Sequence, residues 1–265
     1  MKDLINQLIS AGIEEPDAKS EIAFLQKEFA DQNKIKEIVN ERIKSRTPIQ
    51  YLIGKAYFMD FWVHVTPKVL IPRPETEILV EEAAKGMQND ITAIDIGTGS
   101  GVIPIALAKL IPNIKIIAID IDNEVIKLAK ENAKLNKVSE KIGFKACDLF
   151  SGDVEEIFKT NNFDLIISNP PYIKENYFLE LEPEIYLHEP KIAHCGTKEN
   201  KTGTIYHERI IELAVKYPPK LLALEIDPPL VNDLKALLKK NNLNNFEIVK
   251  DYSKLARCLF IYLNS

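Results

Sequence analysis

Two short runs combine residue types and spacings that could do chemistry. The first is Asp95-Ile96-Gly97-Thr98-Gly99-Ser100-Gly101. Its glycines follow an apolar stretch and open a helix-forming one. Without a Cβ, the backbone there can turn tightly and come close to a ligand. The spacing is G-x-G-x-G, not G-x-G-x-x-G, and no Gly-Lys-Ser/Thr follows, so a phosphate cradle of the P-loop type is excluded. The second run is Asn169-Pro170-Pro171-Tyr172. An amide or aromatic amino nitrogen is a poor nucleophile because its lone pair is delocalised. The Asn169 side-chain oxygen and the Pro170 carbonyl can each accept one N–H of an –NH₂ group. That fixes both hydrogens and aims the lone pair at an electrophile. The gain is orientation in an in-line displacement, with electrostatic relief as the nitrogen becomes positive. Pro170 and Pro171 stiffen the backbone and remove two competing donors. Tyr172 offers a flat face to a planar group.

Acidic residues complete the first run. Asp120 ends an apolar stretch about twenty residues beyond the glycines, where a carboxylate can accept hydrogen bonds from both hydroxyls of a ribose. Asp148 stands just past the next apolar stretch and can accept from an adenine amino group, with Leu149 against the purine face. A loop turn or helix cap accounts for Asp148 about equally well. A ribose and an adenine without a pyrophosphate describe S-adenosylmethionine, with a nicotinamide cofactor as the main competitor. The expected cofactor residues are Gly97, Thr98, Gly99, Ser100, Gly101, Asp120, Asp148, Leu149 and Asn169; the expected catalytic residues are Asn169, Pro170 and Tyr172. Taken together, the two runs point to methyl transfer onto a planar nitrogen. They do not choose among adenine amino groups, guanine amino groups and glutamine side chains.

The elements that must position these residues can be read from periodicity. Apolar stripes (Leu4, Ile5, Leu8, Ile9; then Ile22, Leu25, Phe29; then Ile35, Ile38, Val39, Ile43) predict helices over residues 1–45, punctuated at Gly12 and Asn33. Residues 46–74 are a linker, with an aromatic, β-branched hairpin turning near Asp60. Trp62 in that hairpin is expected to pack between the two domains. Pro72 and Pro74 bracket Arg73 in stiff, extended chain. Residues 75–265 alternate strand and helix, after a first helix over 75–85. Strands are expected at 91–96, 115–119, 142–146, 164–168, 221–226, 246–249 and 259–263, with helices at 102–110, 124–135, 205–215 and 230–239. The expected fold is therefore α/β: a doubly wound, seven-stranded, Rossmann-like sheet, mostly parallel, with an antiparallel edge strand because no helix separates the last two. The first and fourth strands should be neighbours where the strand order reverses, so both runs should face one crevice.

Composition narrows the class. A net charge of −5 and a pI near 5.6 argue against an affinity built on neutralising phosphates. Cys147, Cys195 and Cys258 are scattered and odd in number, which speaks against a disulfide framework and for a reducing compartment. The start, Met1 to Asn6, is too polar for a signal peptide, and no apolar run is long enough to span a bilayer. His188, His194, Cys195 and His207 match no zinc spacing, so no metal is expected.

Several stretches make the sequence resemble the peptide-chain-release-factor glutamine N5-methyltransferase family. They are Pro48 to Gly54, Val69 to Glu77 (VLIPRPETE), Asp95 to Gly101, Ser168 to Ile173 (SNPPYI), Glu189-Pro190, Glu225-Ile226, and Asp251 with Arg257. The resemblance spans nearly the whole chain. It implies a cytoplasmic, S-adenosylmethionine-dependent enzyme of translation termination that methylates the glutamine of the Gly-Gly-Gln tip of class I release factors. It implies that Gly97 to Gly101, Asp120 and Leu149 hold the cofactor. Asn169, Pro170, Pro171 and Tyr172 would hold the glutamine, with Ile71, Pro72, Arg73 and Pro74 at the entrance. The helical leader would dock the release factor. A monomer is expected, with no direct contact to nucleic acid or membrane.

The chain departs from the family pattern at His194 to His207, where the acidic residue before Gly203 is missing and the loop is longer. It departs again at Pro218-Pro219-Lys220 and at Asp227, where glycines are usual. These departures bear on substrate docking. The alternatives are glutamine methylation of a ribosomal protein, adenine N6-methylation of nucleic acid, and a non-catalytic cofactor-binding scaffold. The nucleic-acid enzyme should carry a basic recognition domain, and none is found; the scaffold should tolerate Asn169→Ala.

Overall fold

The computed structural model describes residues 1–85, 87 and 90–263. Four helices lead the chain: α1 (Lys2–Ser10), α2 (Glu15–Glu28), α3 (Gln32–Ser45) and α4 (Ile49–Ile53). Their stripes close on one another in a cluster of Leu4, Leu8, Ile13, Ala18, Ile22, Leu25, Ile35, Ile38, Val39 and Ile49. The break before α3 falls at Asp31, not Asn33. The Asp31 carboxylate accepts from the Asn33 backbone N–H at 2.8 Å, capping the helix and leaving Asn33 within its first turn.

Strands β1 (Lys55–Phe58) and β2 (Phe61–His64) form the expected hairpin, turning at Met59-Asp60 with Met59 at φ 51°. The period of two splits its faces. Ala56, Phe58, Phe61 and Val63 enter the main core. Trp62 faces the other way, onto Phe24 of α2 with ring centroids 5.5 Å apart.

Helix α5 (Pro74–Lys85) leads into the sheet: β3 (Ile91–Ile96), α6 (Val102–Leu110), β4 (Ile114–Asp120), α7 (Asn123–Leu135), β5 (Ile142–Ala146), α8 (Gly152–Thr160) and β6 (Leu165–Ser168). Then come α9 (Pro183–His188), α10 (Lys191–Cys195), α11 (Ile205–Lys216), β7 (Leu221–Glu225), α12 (Val231–Lys240), β8 (Phe246–Lys250) and β9 (Ala256–Tyr262). The seven strands lie in the order β5-β4-β3-β6-β7-β9-β8. The first five pair in parallel, and β9 runs against both β7 and β8. Strands β6 and β7 are buried at every position, as expected of parallel strands with both faces covered. The sheet separates two apolar clusters. One holds the hairpin, α5 and α6; the other holds α8, α11 and α12. Among the described residues, no helix is long and apolar enough to cross a membrane.

Charged side chains tie the leader to the segment after β6. Arg42, 3% exposed, donates to Glu21 and to Glu184 of α9 at 3.0 and 2.9 Å. Arg46 joins Glu184 at 2.5 Å, and the His188 ring meets the Ser45 carbonyl at 2.8 Å. Desolvation makes such buried ions costly, and losing one partner costs more than the pair contributes. Arg42→Met, which strands Glu21, should destabilise the protein by about 3 kcal/mol in urea denaturation. Adding Glu21→Met should recover part of that loss; an unchanged double variant would show that the ion pair is not the cause.

Candidate active site

One cleft opens at the carboxyl ends of β3, β4, β5 and β6. Its wall includes Gly97 to Ser100, Asp120, Asp148, Leu149 and Ser168 to Pro171, with Pro72 and Arg73 at one side. The pairing of β3 with β6 brings the two runs together: Asp95 lies beside Ile167 in the ladder. The Ser168 hydroxyl then donates to the Ile96 carbonyl at 2.6 Å, joining the two strand ends directly.

The glycine loop needs its glycines for different reasons. Gly97 and Gly99 have φ of 75° and 53°, and a Cβ at either would meet no atom within 4 Å, so both face open space. Gly101 has φ 85° and turns away from the cleft; a Cβ there would sit 3.2 Å from the Ala129 Cβ. It permits the close approach of α6 and α7. Asp120 accepts from the Gly99 N–H at 3.0 Å and from the Asp122 N–H at 3.3 Å, one on each oxygen. Each carboxylate oxygen keeps a further acceptor site. Burial raises the Asp120 pKa, opposed chiefly by the Gly99 amide. Asp148 Oδ1 accepts from the Phe150 N–H at 2.9 Å in a local turn, and the residue lines the cleft.

Beneath the loop, Asp95 is fully buried. Neither of its oxygens, nor the buried Thr98 hydroxyl nearby, meets hydrogen-bond geometry. Burial pushes its pKa up to about 7; Thr98 eases the charge slightly and Asp120 adds repulsion. A buried carboxylate left this way invites a cationic or N–H-bearing group.

Asn169 donates from Nδ2 to Thr76 Oγ1 at 3.2 Å. Thr76 donates in turn to Glu225 Oε2 at 2.6 Å, and the Tyr172 hydroxyl donates to Glu225 Oε1 at 3.2 Å. Glu225 ends β7 and is 2% exposed; burial pushes its pKa up to about 7, with the Thr76 and Tyr172 hydroxyls opposing. Burial and the Glu225 charge hold the Tyr172 phenol well above its ordinary pKa. Tyr172 thus lies beside the cleft with its hydroxyl turned inward. Neither the Asn169 side-chain oxygen nor the Pro170 carbonyl has a partner among the described residues, so both acceptors are available.

Sequence reasoning missed Thr76 and Glu225 as site residues. A carboxylate ending a fully apolar strand, at the same sheet edge as Asn169, was the available signal. Asn132 was missed too. Fully buried in α7, it grips the His64 backbone at 2.7 and 2.9 Å and the Ser100 carbonyl at 2.8 Å, tying the hairpin to the glycine loop. Arg73 pairs with the buried Glu189 at 2.6 Å, and the His194 ring meets the other Glu189 oxygen at 2.7 Å. His207 instead meets the Glu225 carbonyl at 2.9 Å. The divergent loop packs on the second run. Asn200 accepts from the Gly203 N–H at 3.0 Å and donates to the Pro171 carbonyl at 3.4 Å. A Cβ on Gly203 would come within 2.8 Å of the Tyr172 carbonyl.

The fold and cleft define a class, and comparison with known proteins agrees. A family model described as a methyltransferase domain matches residues 87–245, so this is a doubly wound methyltransferase domain. Among solved structures, the hMettl16 catalytic domain in complex with the MAT2A 3′UTR hairpin 6 is similar in fold, with TM-score 0.59 at 15% identity. That match covers 92% of this chain and 93% of the other. Precorrin-6y C5,15-methyltransferase from Geobacter metallireducens gives TM-score 0.52 at 12% identity, covering 76% and 94%. Proteins named release factor glutamine methyltransferase match in sequence. The one from Thermodesulfovibrio yellowstonii is 36% identical over 86% of this chain and 80% of its own length. The one from Chlorobaculum tepidum is 34% identical over 83% and 75%. The one from Fusobacterium nucleatum is 38% identical over 84% of this chain, which spans 62% of that relative's length. The chain belongs to the release factor glutamine methyltransferase family.

Asp95 yields a pH test. Its pKa is about 7 when folded and near 3.8 otherwise, so the native state holds the extra proton between those values. Native stability therefore falls as pH rises from about 4 to about 7, and the penalty is constant above that. Asp95→Asn cannot ionise. In urea titrations of cofactor-free protein, it should gain on wild type by a few kcal/mol, on the order of the shift, between pH 4 and 8. A constant difference across that range would contradict the assignment.

Proposed function

We propose that the protein transfers a methyl group from S-adenosylmethionine to the side-chain amide nitrogen of the glutamine in the Gly-Gly-Gln motif of class I release factors, in the cytoplasm. The observation that carries this reading is the pair of unengaged acceptors, the Asn169 carboxamide oxygen and the Pro170 carbonyl, on two residues that line the same cleft as the glycine loop. The family membership supports glutamine over the adenine and ribosomal-protein alternatives.

The residues present fit this cofactor. The open cradle at Gly97 and Gly99 would let a ligand approach the backbone, and the unpaired Asp95 carboxylate below suits the positive end of an amino acid. Asp120 would accept from the ribose hydroxyls, Asp148 from the adenine amino group, and Leu149 would cover the purine. When bound, the cofactor supplies a methyl carbon on a positively charged sulfur. The chain's own residues do the remaining work. Asn169 and Pro170 take one N–H each, so the delocalised lone pair of the amide is presented in a single direction. Their oxygens stabilise positive charge growing on that nitrogen, which makes a strong base unnecessary. Pro170 and Pro171 keep the carbonyl from swinging away, and Tyr172 closes the clamp from behind. Pro72 and Arg73 form the entrance, Arg73 being held by Glu189. The 1–45 helical domain would dock the release factor, with the 46–74 linker setting its distance from the 75–265 domain.

The test is mass spectrometry of a purified class I release factor after incubation with this protein and S-adenosylmethionine. A gain of one methyl on the Gly-Gly-Gln glutamine is expected; an unmodified glutamine under saturating cofactor would sink the reading. Asn169→Ala should retain cofactor binding by titration calorimetry yet transfer no label. Asp120→Ala should lose roughly 1–3 kcal/mol of cofactor affinity. Wild-type transfer by Asn169→Ala would show the clamp to be misassigned.

A further inference from the structure

A carboxamide clamp has a hazard. Asparagine presents an acceptor on one side and a donor on the other, and half a turn about its last bond exchanges them. If Nδ2 faced the incoming –NH₂ group, two donors would oppose each other and the lone pair would be misdirected. Something must hold Asn169 the right way round, and the proline-rich backbone cannot do so, because it does not restrain that side-chain torsion.

We propose that Thr76 and Glu225 are positioning residues that hold the Asn169 carboxamide with its oxygen, not its nitrogen, toward the cleft. The inference rests on the reading of the site given above. Thr76 has a single hydroxyl proton. That proton goes to Glu225 Oε2 at 2.6 Å, the shorter of its two contacts and a bond to a carboxyl group. The hydroxyl oxygen can then only accept, so the Asn169 group facing it at 3.2 Å has to be the –NH₂. The carboxamide oxygen is left for the cleft. Both partners are rigidly placed: Thr76 is 3% exposed in the first turn of α5, and Glu225 is 2% exposed at the end of β7. The second Glu225 oxygen takes the Tyr172 hydroxyl. One carboxyl group therefore fixes Asn169 through Thr76 and Tyr172 directly, restraining the clamp at both ends. This arrangement also explains why a carboxyl group is retained at the end of a strand buried at every position, where an apolar residue would cost less to desolvate.

The account separates Thr76→Val from Thr76→Ser. Valine keeps the shape and loses the hydroxyl; serine keeps the hydroxyl. The first measurement does not depend on the proposed substrate. In ¹⁵N–¹H spectra of the full chain, the Asn169 side-chain signals are identified by their loss in Asn169→Ala. Their exchange with water should quicken about tenfold in Thr76→Val, the loss of one hydrogen bond, and stay near wild type in Thr76→Ser. The second is transfer to a release factor. Thr76→Val should lower kcat by about a hundredfold with cofactor affinity unchanged, and Thr76→Ser should recover most of it. Unchanged exchange in Thr76→Val overturns the proposal, as does wild-type kcat, or equal loss in valine and serine variants. If wild type itself transfers nothing, the functional reading fails, and the exchange measurement alone still decides whether Thr76 holds Asn169.

Discussion

A single hydrogen bond, from the Ser168 hydroxyl to the Ile96 carbonyl, sits where the rest of the site begins. Each partner is the last residue of its strand: Ile96 stands inside the first run, just before its glycines, and Ser168 is followed at once by the second run. The bond can form because β3 and β6 pair in parallel at the point where the strand order reverses. Were β6 elsewhere in the sheet, Asn169 and the glycine loop would open into different crevices. Position along the chain is irrelevant to this; strand order decides it.

Around that junction the protein buries two carboxyl groups whose desolvation is costly. Asp95 lies unpaired in the core, and Glu225 is held at a strand end by the Thr76 and Tyr172 hydroxyls against the cost of burial. Asp95 lies beneath the glycine loop, and Glu225 touches Thr76, which lines the cleft. Two other buried charges have ionic partners: Arg42 meets two carboxylates, and Glu189 meets Arg73. Asp95 is thus left without a partner beneath the loop where a ligand would be held, as expected when a site is built to complete itself with a bound group. The hairpin and leader supply what the site cannot: Asn132 fastens the glycine loop to β2, and Arg42 fastens the leader to α9.

Much of this was legible in the sequence: α6 is a largely apolar run between Gly101 and Pro112, β3 ends where the glycines begin, and β5 alternates Ile142, Phe144 and Ala146 with Gly143 and Lys145; those three have their expected limits. Helix α8 was not among the expected elements, although Val154, Ile157 and Phe158 recur at helical spacing between the charged Asp153, Glu155, Glu156 and Lys159. Helices α9 and α10 are a turn or two each and are organised by Arg42, Arg46 and Glu189, partners distant in sequence. The two motifs were legible as motifs. The Thr76–Glu225 relay was not, since it joins α5 to β7 across 149 positions and no local pattern encodes that contact. The divergent 194–207 loop looked like a weakness, yet Asn200 and Gly203 seat it against Pro171 and Tyr172.

The most direct test of the shared cleft is a crystal structure of the protein with S-adenosylhomocysteine and a peptide carrying Gly-Gly-Gln. The account predicts the thioether sulfur beside the Gly97–Gly101 loop. It predicts the glutamine amide nitrogen within about 2.7–3.2 Å of both the Asn169 side-chain oxygen and the Pro170 carbonyl, and facing that sulfur. A complex in which Asn169 points to solvent, or in which the peptide amide sits away from the sulfur, would contradict it.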